Sequence, residues 1–246
     1  MVRQIGSILI ALLLTQNALA LGEDESPTLN IRFATLPLSS DVGKETLYYT
    51  RDGEPDLNDA VALELNPRER SGYYSYQGPN PMPVFRKELG TEGFMVLTPV
   101  YQVYVPGVRG SWLVILEPAN GQQQPLPLPS HCMEYDDSQF PEGSLLFFNS
   151  TAATFHGILG DKKIEITPGA NRAIDISDYY EDEIPVGLVV KDGDKIHKVL
   201  VNKLRFYPER RTLMILRPPR REGSYRIQAQ RITEYLGKFN EQDAGA

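Results

Sequence analysis

The chain has 246 residues, a formal charge of −7, 41% hydrophobic residues, 20 glycines, 19 prolines and a single cysteine, Cys132. The hydrophobic share sustains a core and excludes global disorder, while the acidic balance excludes a generic nucleic-acid binder. One cysteine excludes an intramolecular disulfide and with it the disulfide-scaffold class.

Residues 1–20 read as a secretory signal peptide: Arg3, an apolar run from Ile8 to Leu14, then Ala18-Leu19-Ala20. The run is too short for a stop-transfer helix, and Leu21 rather than cysteine follows the expected cut, against a lipid anchor. An uncleaved amino-terminal anchor is the alternative. The mature chain is expected in the periplasm or outside the cell, with no transmembrane span. Residues 21–28 (LGEDESPT) are acidic and aperiodic and read as a flexible leader.

The first lobe is expected over 29–118. Leu29, Ile31 and Phe33 alternate with polar residues as a first strand, and Thr46 to Thr50 forms a second, closed by Asp52-Gly53. The acids of DGEPDLND invite a calcium reading but lack EF-hand spacing, so a solvated loop is expected. Val61 to Pro67 reads as a strand with one apolar face, and Trp112 to Leu116 as an apolar strand. Residues 119–142 contain NGQQQPLPLPS and read as a Pro/Gln-rich linker.

The second lobe is expected over 143–235. Leu145 to Phe148 forms an apolar strand, Gly160-Asp161 a turn, Lys163 to Ile166 an alternating strand, and Thr167-Pro168-Gly169 a terminator. Ser224 to Ile232 alternates as a last strand, Thr233 to Asn240 predicts a short helical turn, and 236–246 is a tail. KKIEITP repeats the pattern of VALELNP, and TLMILRP that of WLVILEP, each about a hundred residues later. The expectation is an all-β chain of two tandem immunoglobulin-like β-sandwich lobes that form an internal duplication.

Asp136, Asp137, Phe140, Pro141, Gly143, Asn149, Thr151, Pro168, Gly169 and Arg172 form a pattern of acids, Phe-Pro-x-Gly, an apolar strand ending in Asn-x-Thr, then Pro-Gly and arginine. It resembles a pattern in uncharacterised secreted β-sandwich proteins of Verrucomicrobia-type bacteria, over about forty residues. The resemblance implies export and the sandwich fold, and no activity. Asn149-Ser150-Thr151 also fits a glycosylation sequon, relevant only in a eukaryotic secretory path.

Three histidines, His131, His156 and His197, stand in no paired ligand spacing, and HExxH, CxxC, GxSxG and P-loop motifs are absent from the sequence. His131-Cys132-Met133 offers copper-ligand atoms, but on a strand Cys132 faces away from the other two. No metal site, cofactor or catalytic residue is expected. Tyr73, Tyr74 and Tyr76 are candidates for stacking on sugars or a protein partner, with Tyr74 and Tyr76 on one face and Tyr73 on the other. Between Lys203 and Lys238 ten basic residues stand against three acids. Arg210, Arg211, Arg220 and Arg221 are the candidate contacts to an anionic partner, unless the acids of 175–183 face the strip. These features point to an exported non-catalytic binding or structural module of the bacterial envelope, its partner an envelope protein or an anionic envelope polymer. The alternative is a carbohydrate-active hydrolase or carbohydrate-binding protein working through paired carboxylates.

Overall fold

The structure is a computed structural model and describes residues 27–119, 125–180 and 182–235. The signal peptide, most of the leader and the tail lie outside the described residues. No helix among the described residues is long and apolar enough to cross a membrane. The chain is nearly all β, in four sheets.

The first eight strands are β1 (Leu29–Pro37), β2 (Leu47–Tyr49), β3 (Val61–Ala62), β4 (Tyr74–Gly78), β5 (Met82–Leu89), β6 (Met95–Val103), β7 (Arg109–Leu116) and β8 (Ser130–Glu134). They make two sheets, ordered β4-β1-β7-β8 and β3-β2-β5-β6. The remainder are β9 (Ser144–Asn149), β10 (Phe155–Leu159), β11 (Lys162–Ile166), β12 (Gly169–Ala170), β13 (Ile174–Asp175), β14 (Glu183–Asp192), β15 (Lys195–Arg205), β16 (Arg211–Arg217) and β17 (Gln228–Glu234). They give β12-β9-β16-β17, with β13 also on β9, and β11-β10-β14-β15.

The two lobes repeat one order. In each, the first strand pairs antiparallel with the fourth and parallel with the last but one, β1 with β4 and β7, and β9 with β12 and β16. The match extends to a cross-sheet link, because Leu128 N donates to Val100 O at 2.8 Å and Ile227 N to Val199 O at 3.2 Å. The two sequence anchors fall on matching strands: Leu113–Leu116 in β7 with Leu213–Leu216 in β16, and Leu63 just past β3 with Ile164 in β11. The grouping is not the immunoglobulin one, where strands A, B, E and D face C, F and G. Here the first, fourth and last two strands of each lobe form one sheet.

Three cores separate the four sheets. Within the first lobe lie Leu29, Ile31, Phe33, Trp112 and Val114, and within the second Leu145, Phe147, Met214 and Leu216. The third core joins the lobes: Ala34, Leu36, Leu113, Ile115 and Met133 meet Leu146, Phe148, Leu213, Ile215 and Ile232. Successive side chains of a strand point to opposite faces, so β1, β7, β9 and β16 each serve two cores. That is why WLVIL, LLFF and TLMIL are unbroken apolar runs where a half-solvated sheet would alternate.

The supposed linker differs most from expectation. Its residues 130–134 are β8, paired with β7 from Trp112↔Glu134 to Leu116↔Ser130, and Tyr135 and Phe140 are fully buried in the interlobe core. Proline excludes a ladder only where it occurs, and the proline-rich part ends at Pro129. At the other end, Thr233 and Glu234 prolong β17, paired with Thr212 and Arg211, and are not helical. Gly143 turns the chain into β9 at φ +68°, and its Cβ would lie 2.0 Å from the Tyr180 hydroxyl, so no other residue fits.

Because both lobes share the third core, urea unfolding is expected as one cooperative transition. Ile215→Ala, at a fully buried position, should lower stability by about 2–5 kcal/mol without splitting it. Two separate transitions in circular dichroism and Trp112 fluorescence would mean that the lobes fold independently.

Candidate functional site

The lobe junction holds a buried ionic network. Arg211 opens β16 and Glu234 closes β17, so the β16–β17 ladder sets them opposite one another. Arg211 Nε donates to Glu234 Oε2 at 3.0 Å, Tyr135 OH donates to Glu234 Oε1 at 2.9 Å, and Arg70 Nε lies 3.4 Å from the same oxygen. Arg70 comes from the first lobe, yet its side chain and that of Glu234 are each only 2% exposed. Arg211 Nη1 also donates to Phe140 O at 2.8 Å and to the exposed Asp137 at 3.0 Å. Aromatic faces complete the cage: Arg70 sits 4.6 Å from the Tyr73 ring centre and Arg211 4.7 Å from that of Tyr135.

Burial works against the Arg211 charge, but its contacts with Tyr135, Glu234 and Asp137 outweigh it and hold the guanidinium above its ordinary value. Burial, helped by the Glu234 charge, pushes the Tyr135 phenol well up, so it stays neutral and donates. Two further bonds span the lobes: Arg217 Nη1 to Leu38 O and Gln230 Nε2 to Pro67 O, each at 2.7 Å.

Beside this network a cleft of about 770 Å³ follows the chain from Met133 to Leu146 and is closed by residues 170–175. Its charged lining is Glu134, Glu142, Asp175 and Arg172, and it has no aromatic residue. Asp175 also receives the Ser177 amide at 2.9 Å, which holds its carboxyl below the usual range. Tyr73, Tyr74 and Trp112 are not among its lining residues.

Of the sequence-derived candidates, Tyr76 is 1% exposed in the first core, Tyr74 packs against that core, and Tyr73 lies over the interlobe core with its hydroxyl on Tyr135 O. The expected face assignment holds, but the rings are packing residues and offer no platform for a ligand. Arg211 is a lock residue and cannot dock a partner. Arg210 is half-buried against Tyr207 and Tyr235, whereas Arg220 and Arg221 are exposed as a docking role requires. The acids of 175–183 meet this strip only where Glu183 lies 3.9 Å from Arg205 among the described residues. Arg70, Tyr135 and Glu234 went unnoticed in the sequence; the one available signal was a charged residue closing the apolar alternation of β17.

The other candidates also carry structural roles. His131 Nε2 and Glu117 Oε1 are 2.8 Å apart, His131 and Met133 share the interlobe side of β8, and Cys132 turns to the first core. The DGEPDLND acids bond their own loop, Asp52 to Glu54 N, Asp56 to Asn58 N and Asp59 to Arg51 N. Asn149 is 1% exposed and donates to Ala153 O while accepting from Thr151, so it ends β9 and is inaccessible to a glycosyl donor. The chain matches no protein-family model and no curated protein.

Two tests follow. Glu234→Gln removes the buried carboxylate that Arg70 and Arg211 share and should cost about 3–5 kcal/mol in urea unfolding, while replacing Arg70, Arg211 and Glu234 together by apolar residues should recover most of it. A loss under about 1 kcal/mol for the single change would mean that the network does not hold the lobes. Burial pushes the Cys132 thiol up to about 12, so native protein at mildly alkaline pH should react with a thiol reagent far more slowly than protein in denaturant. Equal rates would place that sulfur in solvent.

Proposed function

We propose that the chain is an exported, non-catalytic binding module of the bacterial envelope whose partner is an envelope protein. The signal-peptide pattern and the resemblance to secreted Verrucomicrobia-type proteins support the address, and the repeated strand order is what a duplicated domain leaves behind. The binding role rests on the tip of the β5–β6 hairpin. There Leu89 is 71% exposed, Phe94 73%, Met95 47% and Val96 41%. The equivalent β14–β15 hairpin turns on Lys191-Asp192-Gly193-Asp194-Lys195, so the fold itself does not require an apolar tip. Glu88 and Glu92 accompany the apolar residues, a combination suited to an apolar recess edged by cations on a protein partner.

The test is fractionation of the native organism with amino-terminal sequencing. The mature chain should begin at Leu21 and be found in the envelope fraction, and Leu89→Ser with Phe94→Ser should release it without lowering its melting temperature. A chain that keeps Met1 and stays in the cytosol would overturn the reading.

A further inference from the structure

The free end of the second lobe combines two segments. The β16–β17 connection, residues 218–227, folds back on the β14–β15 hairpin: the Tyr225 ring stacks on His197 with centroids 3.7 Å apart, its hydroxyl donates to Asp192, and Ile227 N donates to Val199 O at 3.2 Å. The connection is itself closed, by Arg220 Nε to Gln228 Oε1 at 2.8 Å, Gln228 Nε2 to Pro218 O at 2.8 Å and Ser224 N to Arg221 O at 3.2 Å. The result is a shaped surface in which each segment braces the other.

Its chemistry is cationic and apolar together. Arg220, Arg221 and Arg226 are exposed, and none takes part in an ion pair among the described residues. Lys195 and Lys198 add positive charge from β15; Asp192, Asp194 and Glu222 are the acids of this end, and Asp192 is held by Tyr225. At the same end of the lobe, Ile196, next to the hairpin turn on β15, is 70% exposed and Tyr225 38%. The matching β7–β8 connection of the first lobe, 117–129, contains no lysine or arginine. The shared strand order therefore needs no arginines at this connection, and three of them on a protein of net charge −7 require another explanation.

We propose that this end docks on the anionic headgroups of a phospholipid bilayer. Arginine forks take phosphate oxygens, and the exposed isoleucine of the adjoining hairpin, with the tyrosine of the connection, enters the headgroup layer. A soluble polyanion would satisfy the arginines but leave Ile196 in water, which is why the bilayer is the better fit. The proposal deepens the envelope reading and rests on it: the hairpin tip of the first lobe would meet a protein while this end holds the membrane.

The test uses purified full-length mature protein and vesicles of phosphatidylcholine alone or mixed equally with phosphatidylglycerol, at low and at physiological salt. Sedimentation should show binding to the anionic vesicles only, weaker at higher salt. Reversing Arg220, Arg221 and Arg226 to glutamate should reduce it roughly a hundredfold. Reversing the exposed Arg51, Arg68 and Arg109 of the first lobe changes net charge equally and should leave binding near the wild-type level. Ile196→Ser should weaken vesicle binding but not binding to soluble polyphosphate. Equal loss in both triple variants would reduce the effect to net charge and overturn the site, and binding to polyphosphate without binding to vesicles would overturn the lipid. Failure of vesicle binding in a protein that still fractionates with the envelope removes this surface alone; a cytosolic protein removes the envelope reading whatever the vesicles show.

Discussion

The arrangement of this molecule depends on one carboxylate. Glu234 lies where both lobes exclude water and is shared by a guanidinium from each, with a phenol from the segment joining them. Apolar faces tolerate small shifts against one another, because dispersion and burial have no direction. A carboxylate between two guanidiniums and a hydroxyl is satisfied in one relative placement only, and the desolvation of three charges makes every other placement costly. The apolar third core supplies the attraction between lobes, and the network selects the pose.

With the lobes fixed, the allotment of surface follows. The strands β1, β7, β9 and β16 bury most of both faces in the cores, and Tyr73, Tyr135, Arg70 and Arg211 are committed to the junction. Solvent meets the outer sheets, the hairpin tips and the strand connections. The two lobes match in strand order but not in the chemistry of those tips: the first presents apolar side chains at Leu89 and Phe94, the second arginines at Arg220 and Arg221. Two lobes of the same strand order thus offer two unlike ends.

The fold class was legible in the sequence because it rests on local signals. Period-two alternation at Leu29 to Phe33, the Gly160 turn and the Pro168-Gly169 terminator are all short-range, and each falls where the structure has a strand, a turn or a strand end. The repeat was legible because TLMIL and WLVIL are dictated by the same two-sided burial. What escaped was long-range. Nothing near Arg70 or Arg211 announces that they share a partner on the final strand, and a charge beside apolar residues looks the same whether it snorkels to solvent or is caged. Arg211, counted in a surface strip, is buried for that reason: local sequence reports which face a side chain takes, but not what the other lobe puts against that face. The linker reading failed likewise, since SHCME becomes a strand only by pairing with β7.

The position of Glu234 along the chain has a temporal consequence. It belongs to the last strand, and the parallel partners of β1 and β9 are likewise late members of their lobes, so the pairings that close each sandwich join residues far apart in sequence. A chain that emerges amino end first has its earliest strands waiting for β7, and its second lobe waiting for β16 and β17. Until Glu234 arrives, Arg70 has no carboxylate from the second lobe to receive it, and the shared core lacks Leu213, Ile215 and Ile232. The last strand is therefore the one that completes both the ionic network and the core shared by the lobes.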